Sequence, residues 1–313
     1  MEIDVLCVGL ATYDLVYQVD RYPGEDEKCF ASSLLLCGGG PGANAAVTVA
    51  RLGGAAAFAG YLANDVFGRM HLEELVFEGV RTDLIVRDEK TAARRKAAAD
   101  NPCRNNARSA LSSILVAPGG KRTVVTHKGT TPILEPEQVD FARFSPRAIL
   151  FDGHQPALSV PLAQRAREQN TPTILDAGSV SEGTARLARL CSHLAASEKF
   201  ARDFTGEKAP QKALTVLARM APVAVITLGD AGLIYCDSRS SGAIAPFAVD
   251  AVDTTGAGDI FHGALALRTA RGDDLFRALQ YASAAAALGC EKLGARPAIP
   301  SAEAVESLLR STG

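Results

Sequence analysis

Short apolar runs alternate with helical segments throughout the second half of the chain. Runs at 149–151, 173–175, 223–228 and 233–236 have the length and composition of buried strands. Between the first two, residues 160–168 carry apolar side chains at helical spacing. Strands that alternate with helices predict a parallel sheet with helices packed on both faces.

The first half shows a less regular pattern. Residues 3–9 have the pattern of a buried strand, and residues 42–52 that of a helix rich in small side chains. Two extended stretches at 14–19 and 29–37, together with a hairpin pattern at 112–126, stand apart from the alternating strands. These three segments are expected to form a small sheet separate from the main one.

One segment, residues 89–108, fits neither pattern. It is basic, rich in Ala and Asn, and without an apolar period. Such a segment is typical of a solvated insertion. A phosphate-binding role for its Arg94, Arg95 or Lys96 is an alternative that we do not adopt.

Length and composition narrow the class of protein. A chain of 313 residues with 47% hydrophobic and 22% charged residues fits one large soluble α/β domain. A net charge of −2 gives no reason to expect binding to nucleic acid or to an anionic membrane. No apolar run approaches the ~18 residues of a membrane span, and a basic leader is missing. The seven scattered cysteines form no C-x-x-C pair, which indicates reduced thiols and a cytoplasmic protein.

The sequence DTTGAGD at residues 253–259 stands directly before a segment of helical apolar spacing. Gly256, Ala257 and Gly258 have almost no side chain, so their backbone N–H groups can approach an anion closely. At a helix start, unpaired N–H groups and the helix dipole both favour negative charge. Asp259 adds a carboxylate that suits deprotonation of a hydroxyl attacking a phosphate. Taken alone, the same pattern also fits a tight turn with a dipole-pairing carboxylate.

A glycine-rich run, GGGPGANAA at residues 38–46, precedes a predicted helix. Gly40, Gly42 and Ala45 match the dinucleotide-binding fingerprint. This spacing supports a rival function, that of a nicotinamide-dependent oxidoreductase. The position argues against it, because that fingerprint follows the first strand of its βαβ unit and the first strand here ends near Gly9.

Both runs resemble motifs of the ribokinase (PfkB) family of carbohydrate kinases. The C-terminal motif of the family is similar to DTTGAGD followed by Phe261, Gly263 and Ala264. The N-terminal motif is similar to the run from residue 38 to residue 68. The two motifs occur in the family's order and the resemblance covers nearly the whole chain.

The resemblance implies an α/β fold, a ribokinase-like three-layer sandwich with a central, mostly parallel sheet and a small β-sheet lid. It implies a single domain across residues 1–313. The lid would be formed by segments at about 13–37 and 110–127, and in relatives it often forms the dimer surface. A homodimer through the lid is therefore expected.

In relatives the N-terminal motif holds the sugar, and its positions carry over to Asp14, Gly39, Gly40 and Asn44. The glycines let the backbone lie against the sugar, Asn44 bonds a hydroxyl, and a carboxylate such as Asp14 can accept from two vicinal hydroxyls. From the residues alone, Asn44 also fits a helix N-cap, and Asp14 a turn. Lys28 precedes the glycines in the chain. Its position fits a contact with the acceptor and a solvated side chain equally well.

By the same resemblance, Asp259 is the general base, and the N–H groups of residues 256–258 stabilise charge on the transferring phosphoryl group. The strand and turn at residues 227–232, TLGDAG, resemble the family segment beneath the nucleotide. This implies that the nucleotide is bound by Thr227, Gly229 and Gly232.

Metal handling depends on two other segments. Ser197 and Glu198 stand where relatives often hold N-x-x-E, which positions Mg²⁺ and phosphate through water. This stretch is more similar to the ketohexokinase-like and sulfofructose kinase-like branches, so Ser197 is assigned to the nucleotide and Glu198 to Mg²⁺. Asp253, with residues 294–298, resembles the monovalent-cation loop that binds K⁺, although it also fits a turn. The expected cofactors are ATP and Mg²⁺, with K⁺ a candidate.

The predicted function is ATP-dependent phosphorylation of a primary hydroxyl of a sugar. Within the family, the alternatives are a nucleoside kinase and a kinase of sugar phosphates or sulfosugars. Outside it, the alternatives are the oxidoreductase and a non-catalytic sugar-binding protein. The expected partner is a small, neutral sugar, with no nucleic acid and no membrane.

Overall fold

Two sheets of unequal size organise the protein in the computed structural model, which describes residues 1–87 and 109–312. The predicted insertion at 89–108 lies outside the described residues. In chain order, the strands are β1 (Glu2–Val8), β2 (Thr12–Gln18), β3 (Ser33–Gly39), β4 (Ala56–Leu62), β5 (Arg81–Arg87), β6 (Ala110–Val116), β7 (Arg122–His127), β8 (Ser145–Phe151), β9 (Thr173–Ala177), β10 (His193–Ser197), β11 (Val223–Thr227), β12 (Leu233–Cys236) and β13 (Ser241–Ile244).

The larger sheet is mostly parallel. Within the described residues it has nine strands in the order β13-β12-β11-β10-β9-β8-β1-β4-β5. The seven strands from β11 to β5 pair in parallel, and β12 and β13 are antiparallel additions at one edge. The strand β1 lies in the interior of the sheet, between β8 and β4, so Val5 and Cys7 point into one apolar core while Leu6 and Val8 point into the other.

Helices cover both faces of this sheet. They are α1 (Pro41–Arg51), α2 (Val66–Phe77), α3 (Pro156–Glu168), α4 (Glu182–Leu187), α5 (Glu198–Thr205), α6 (Pro210–Leu217), α7 (Ala257–Ala270), α8 (Leu275–Leu288), α9 (Ala295–Ala298) and α10 (Ala302–Thr312). The helices α1, α2, α7, α8 and α10 bury their apolar sides in one core, and α3 to α6 in the other. The predicted three-layer α/β arrangement is therefore confirmed.

The smaller sheet has the order β3-β2-β6-β7 and stands apart from the central one. The strands β2 and β6 are parallel, and β3 and β7 pair antiparallel at the two edges. Its own small core consists of Val16, Cys37, Ile114 and Val116. A small second sheet built from the early extended stretches and the hairpin was predicted, and it is confirmed.

None of the helices in the described ranges combines the length and the apolar character that crossing a membrane requires.

Candidate active site

The polar residues of the site lie where the parallel strands end. Gly9 follows β1, Asp152 follows β8, Asp176 lies near the end of β9, and Thr227 ends β11. Because these strands are parallel neighbours, their carboxyl ends share one edge of the sheet. Ligand sites of open α/β sheets form at this edge.

The turn at residues 255–258 leads into α7 with an exposed backbone. Gly256 is its N-cap in the left-handed region, at φ 76°. A methyl group at Gly256 would lie 2.4 Å from the Ala295 Cβ, so the position requires glycine in both space and conformation. We call this segment the anion turn.

The amides of the anion turn are not equivalent. The Ala257 N–H donates to the Thr254 carbonyl over 3.3 Å, so one of the three amides predicted to hold phosphate is engaged by the protein itself. Within the described residues, the N–H groups of Gly258 and Asp259 have no hydrogen-bond partner. Space beside Gly258 is open, since a methyl group there would meet no atom within 4 Å. Among the described residues, the open amides at the helix start are therefore those of Gly256, Gly258 and Asp259.

Asp253 anchors the anion turn to the C-terminal part of the chain. It is buried, and its Oδ1 accepts from the N–H and hydroxyl of Thr255 at 2.9 and 2.6 Å. Its Oδ2 accepts from the Gly294 N–H at 2.8 Å. Both carboxylate oxygens thus fix backbone geometry, which corresponds to the turn role that the sequence left open.

Asp259 lies in the first turn of α7 and keeps partial solvent exposure. Burial raises the pKa of its carboxyl to about 7, and the negative charge of Asp176 adds to this rise. A hydrogen bond from Asn44 and the proximity of His262 oppose it. A carboxyl with a pKa near neutrality is suited to accept a proton at physiological pH.

Asp14 and the glycine run form the second half of the site. Asp14 lies on β2, is buried, and accepts from the Thr12 hydroxyl at 2.8 Å. A methyl group at Gly39 would lie 2.1 Å from the Asp14 Oδ2, and one at Gly40 would lie 2.6 Å from the Leu10 carbonyl. The glycines are thus required for close packing of β3 against Asp14 and the end of β1.

Asn44 joins the two halves. It lies on α1, buried, and its Nδ2 donates to the Asp259 Oδ2 at 2.8 Å. Its backbone N–H donates to the Gly40 carbonyl, and the N-cap of α1 is Gly40, so Asn44 does not serve as a helix cap. The motifs at residues 38–46 and 253–259 therefore meet at one pair of side chains.

A cavity of about 500 Å³ opens beside the anion turn. Thr227, Gly229 and Gly232 line one side of it, and Gly258 lines the other. The remaining wall is largely apolar, from residues 246–251 and the α8 side. The cavity therefore brings the segment at 227–232 and the anion turn together.

Ser197 and Glu198, predicted to contact the nucleotide and Mg²⁺, lie at the start of α5 and do not line this cavity. Ser197 is the N-cap of α5: its hydroxyl accepts from the Phe200 N–H at 3.0 Å and donates to the Gly178 carbonyl at 2.8 Å. Glu198 is exposed at the start of the same helix. In the described ranges, no three His, Cys, Asp or Glu residues cluster as a metal site would require. Lys28 is exposed in the connection between β2 and β3.

Asp152 is a buried carboxylate that the sequence patterns did not single out. Its Oδ2 accepts from the N–H groups of Leu10 and Gly42 at 2.7 and 3.0 Å, and its Oδ1 lies 3.2 Å from the His154 Nδ1. Burial opposes its charge, but His154 and these N–H groups hold the pKa of Asp152 below its usual value. The attraction of Asp152 raises the pKa of His154. A polar residue directly after a parallel strand was the available signal.

Asp176 and His262 form a second unpredicted pair behind Asp259. The His262 Nδ1 lies 3.3 Å from the Asp176 Oδ2, and its Nε2 lies 3.2 Å from the Ala195 carbonyl. Both side chains are buried. Burial opposes protonation of His262, but Asp176 and Asp259 raise its pKa overall. The pair places one acid and one base within the electrostatic reach of Asp259.

The tip of the β6–β7 hairpin, in the small sheet, contacts the two residues just before the anion turn. Gly120 forms a bridge with Asp253, and the Thr254 hydroxyl lies 3.3 Å from the Gly120 carbonyl. The Arg122 guanidinium donates to the Thr254 hydroxyl. The hairpin tip therefore lies directly against the residues that lead into α7.

Comparisons with known proteins agree with this geometry. The family model described as pfkB family carbohydrate kinase matches residues 2–302. The ribokinase of Bacillus subtilis is 28% identical over 311 residues, covering 98% of this chain and 99% of that protein. The fructokinase of Solanum tuberosum is 27% identical over 303 residues, covering 90% and 88%.

A solved structure shows the same architecture over the full length. The ribokinase from Thermotoga maritima superimposes with a TM-score of 0.81 at 25% identity, covering 98% of this chain and 99% of that one. The central sheet with its separate small sheet is thus a ribokinase-like fold, as predicted. With its two characteristic motifs joined at Asn44 and Asp259, the chain belongs to the pfkB family of carbohydrate kinases.

Proposed function

We propose that the protein transfers the γ-phosphoryl group of ATP to a primary hydroxyl of a neutral sugar. Asp259 removes the proton from the attacking hydroxyl, and the amides of the anion turn stabilise charge on the transferring group. Asp14, Gly39, Gly40 and Asn44 hold the sugar. This proposal goes beyond the family assignment in the acceptor, the donor and the role of each residue.

The observation that carries the proposal is the hydrogen bond between Asn44 and Asp259. The two residues are 215 positions apart in the chain, and the donor and acceptor atoms are 2.8 Å apart. A sugar held by Asn44 and Asp14 would present a hydroxyl beside the carboxylate that must deprotonate it. Such positioning is a large part of catalysis in phosphoryl transfer, because little covalent chemistry is left for the protein.

The residues around the cavity fit a nucleotide. The volume of about 500 Å³ has an apolar wall suited to a base and ends at the open Gly258 amide, which suits a phosphate. The Arabidopsis thaliana ribokinase, which shares the fold, was solved with ribose and ATP. Of the predicted anion-binding amides, Gly258 supports this role most directly, and Ala257 would have to exchange its bond to Thr254.

The residues fit Mg²⁺ less closely than they fit ATP. Since the described residues contain no three-carboxylate cluster, the ion would be held by phosphate oxygens and water, with Glu198 near the end of β10. Mg²⁺ would neutralise phosphate charge. K⁺ remains a further proposal: both carboxylate oxygens of Asp253 already accept hydrogen bonds, so backbone carbonyls would supply most ligands.

The test is ADP release from ATP and Mg²⁺ across a panel of neutral sugars, sugar phosphates and nucleosides, with and without K⁺. The Asp259→Asn variant serves as the blank. We expect one neutral sugar to give ADP release that depends on Asp259. Equal activity of the variant would refute the base assignment, and strict preference for a phosphorylated acceptor would refute the neutral-sugar assignment.

A further inference from the structure

Arg296 is a fully buried cation beside the proposed site, with 3% of its surface exposed. It lies on the one-turn helix α9, in the segment that the sequence assigned to backbone carbonyls and a monovalent cation. Its own carbonyl is occupied, because the Arg51 Nη1 donates to it at 2.9 Å. The side chain points in another direction, beneath the glycine run and toward α1 and α2.

The Arg296 guanidinium connects α9 to α1 and to α2. Its Nε donates to the Asn44 Oδ1 at 3.2 Å, and its Nη2 donates to the His71 Nε2 at 3.1 Å. Its Nη1 lies 3.7 Å from the Glu74 Oε2 and forms no hydrogen bond among the described residues. Arginine can only donate, so each of these partners must act as an acceptor.

We propose that Arg296 is a positioning residue that fixes the orientation of the Asn44 carboxamide, and through it the readiness of Asp259 to accept a proton. The inference deepens the proposed function and rests on Asp259 being the base. With its oxygen held by Arg296, the Asn44 amide can turn only its NH₂ group toward Asp259, where it donates at 2.8 Å. Without Arg296, the amide is free to rotate by half a turn.

The orientation matters because Asp259 stands among groups that favour its protonation. Burial, Asp176 on β9 and Asp14 on β2 all raise the pKa of Asp259. The Asn44 N–H on α1 and His262 on α7 lower it. A rotated Asn44 would present its oxygen to the carboxylate, so that a short contact would require a proton on Asp259.

Arg296 is itself surrounded by groups that are held in fixed positions. The Glu74 Oε2 accepts from the Gly38 N–H at 2.7 Å and its Oε1 accepts from the Tyr13 hydroxyl at 3.1 Å, so the counter-charge is fixed. Burial and Arg296 lower the pKa of His71 well below its usual value, which keeps that ring a neutral acceptor. A methyl group at Gly38 would lie 2.9 Å from the Arg296 Nη1 and 2.7 Å from the His71 ring.

Two substitutions separate amide orientation from charge. Arg296→Met removes the charge and every donor, whereas Arg296→Lys keeps a cation near Glu74 but places a methylene where arginine has its Nε–H. The control is Arg51→Lys, which loosens the same C-terminal segment at the carbonyls of Arg296 and Ile299 without touching Asn44. The measurement is kcat/KM for the accepted sugar between pH 5 and pH 9, with far-ultraviolet circular dichroism to verify folding.

We expect the acidic limb of kcat/KM to move up by about one pH unit in both Arg296 variants. Loss of the oriented hydrogen bond from Asn44 should raise the pKa of the Asp259 carboxyl by about that much. Activity at pH 7 would fall about fivefold and recover above pH 8.5. The Arg51→Lys variant should keep the wild-type limb. A shift in Arg296→Met alone would assign the effect to charge and refute the proposal.

An unshifted limb in both folded variants would also refute it, and so would loss of folding in both, because Arg296 would then serve the fold. These outcomes are separate from failure of the proposed function. If Asp259→Asn retained wild-type turnover, the base assignment itself would fail, whatever the Arg296 variants show.

Discussion

At the scale of single residues, the site is a set of buried polar groups that constrain one another. Among the described residues, Asp259 has one hydrogen-bond donor, Asn44, and two nearby acids, Asp14 and Asp176. The structure thus keeps the carboxyl close to the balance between its charged and neutral forms. That balance is the property a general base needs; two predictions test it, and a third tests sugar binding at Asp14.

Replacement of Asp259 by Asn should lower turnover by about 10² to 10⁴, the usual contribution of a general base. Sugar affinity should stay nearly unchanged, because the amide preserves the shape and one acceptor for Asn44. Turnover is measured by ADP release and affinity by calorimetry. Turnover within a few-fold of the wild type would contradict the assignment.

The pH dependence of the wild-type protein should show an acidic limb near pH 7. Burial raises the pKa of Asp259 to about 7, and activity requires the deprotonated form. Activity therefore falls as the pH drops through 7, whereas an ordinary aspartate would keep it down to about pH 4. The check is kcat/KM for the sugar against pH, and a limb below pH 5 would contradict the environment described here.

Replacement of Asp14 by Ala should raise the KM for the sugar far more than the KM for ATP. Asp14 lies on β2 against Gly39, and it does not line the cavity bounded by Thr227 and Gly229. Steady-state kinetics with each substrate varied in turn provides the comparison. Equal changes in both KM values would indicate a general structural role for Asp14.

At the scale of elements, the anion turn depends on a glycine that no other residue can replace. Gly256 combines a φ of 76° with tight packing against Ala295. The matched control is Gly206, which has the same φ of 76° at the end of α5 but no atom within 4 Å of a methyl group. The pair separates backbone strain from displacement of the turn.

We expect Gly206→Ala to lower the free energy of unfolding by about 1 kcal/mol and to leave kinetics unchanged. Gly256→Ala carries the same strain and must also move the turn away from Ala295, so kcat should fall at least tenfold. Denaturant unfolding and steady-state assays test both variants. Comparable kinetics for the two would show that the position of the turn is not critical.

The elements that the sequence predicted well are those with a strong pattern. The strand Leu233–Cys236 was predicted to the residue, and the helical spacing after DTTGAGD corresponds to the helix Ala257–Ala270, because both segments are apolar and follow clear turn signals. The strand β10, HLAAS, was not predicted, since alanine has no strand preference and only burial between β9 and β11 makes it a strand. The helix α3 begins four residues before the predicted start. Pro156 occupies its first turn, where proline is tolerated, so the helix starts ahead of the apolar spacing used for the prediction.

The candidate site was predictable where backbone and motif determine it, and less so where side chains meet across the fold. The residues of the two motifs, such as Asn44 and Asp259, could be named from local sequence. The buried Arg296 could not, because a single arginine in GARPA carries no sign that it reaches Asn44. Its placement depends on the packing of α9 against α1 and β3, which no local pattern encodes.

At the scale of the whole molecule, the small sheet leaves an apolar face in solvent. Leu34 and Leu36 on β3 are 52% and 44% exposed, and Val125 on β7, which the strand register places on the same face, is 65% exposed. Exposed apolar side chains at both edges of one sheet face are a signature of an interface or of an aggregation risk. We propose that a second copy of the chain covers this face, in keeping with the homodimer expected from the family resemblance.

Multi-angle light scattering should give about twice the mass of the 313-residue chain at micromolar concentration. Replacement of Val125 by Glu should produce the monomer, because a buried carboxylate without a partner is costly. The control is Val180→Glu. Val180 is an apolar residue, 45% exposed, that follows β9 of the larger sheet, and its replacement should leave the mass unchanged. A wild-type monomer would contradict the proposal.

The β6–β7 hairpin tip holds the backbone from which the anion turn starts, through the contacts of Gly120 and Arg122 with residues 253 and 254. A displacement of the hairpin tip must therefore shift Thr254, and with it the start of the anion turn. Movement of the small sheet and the orientation of the amides at the start of α7 are in this way mechanically coupled.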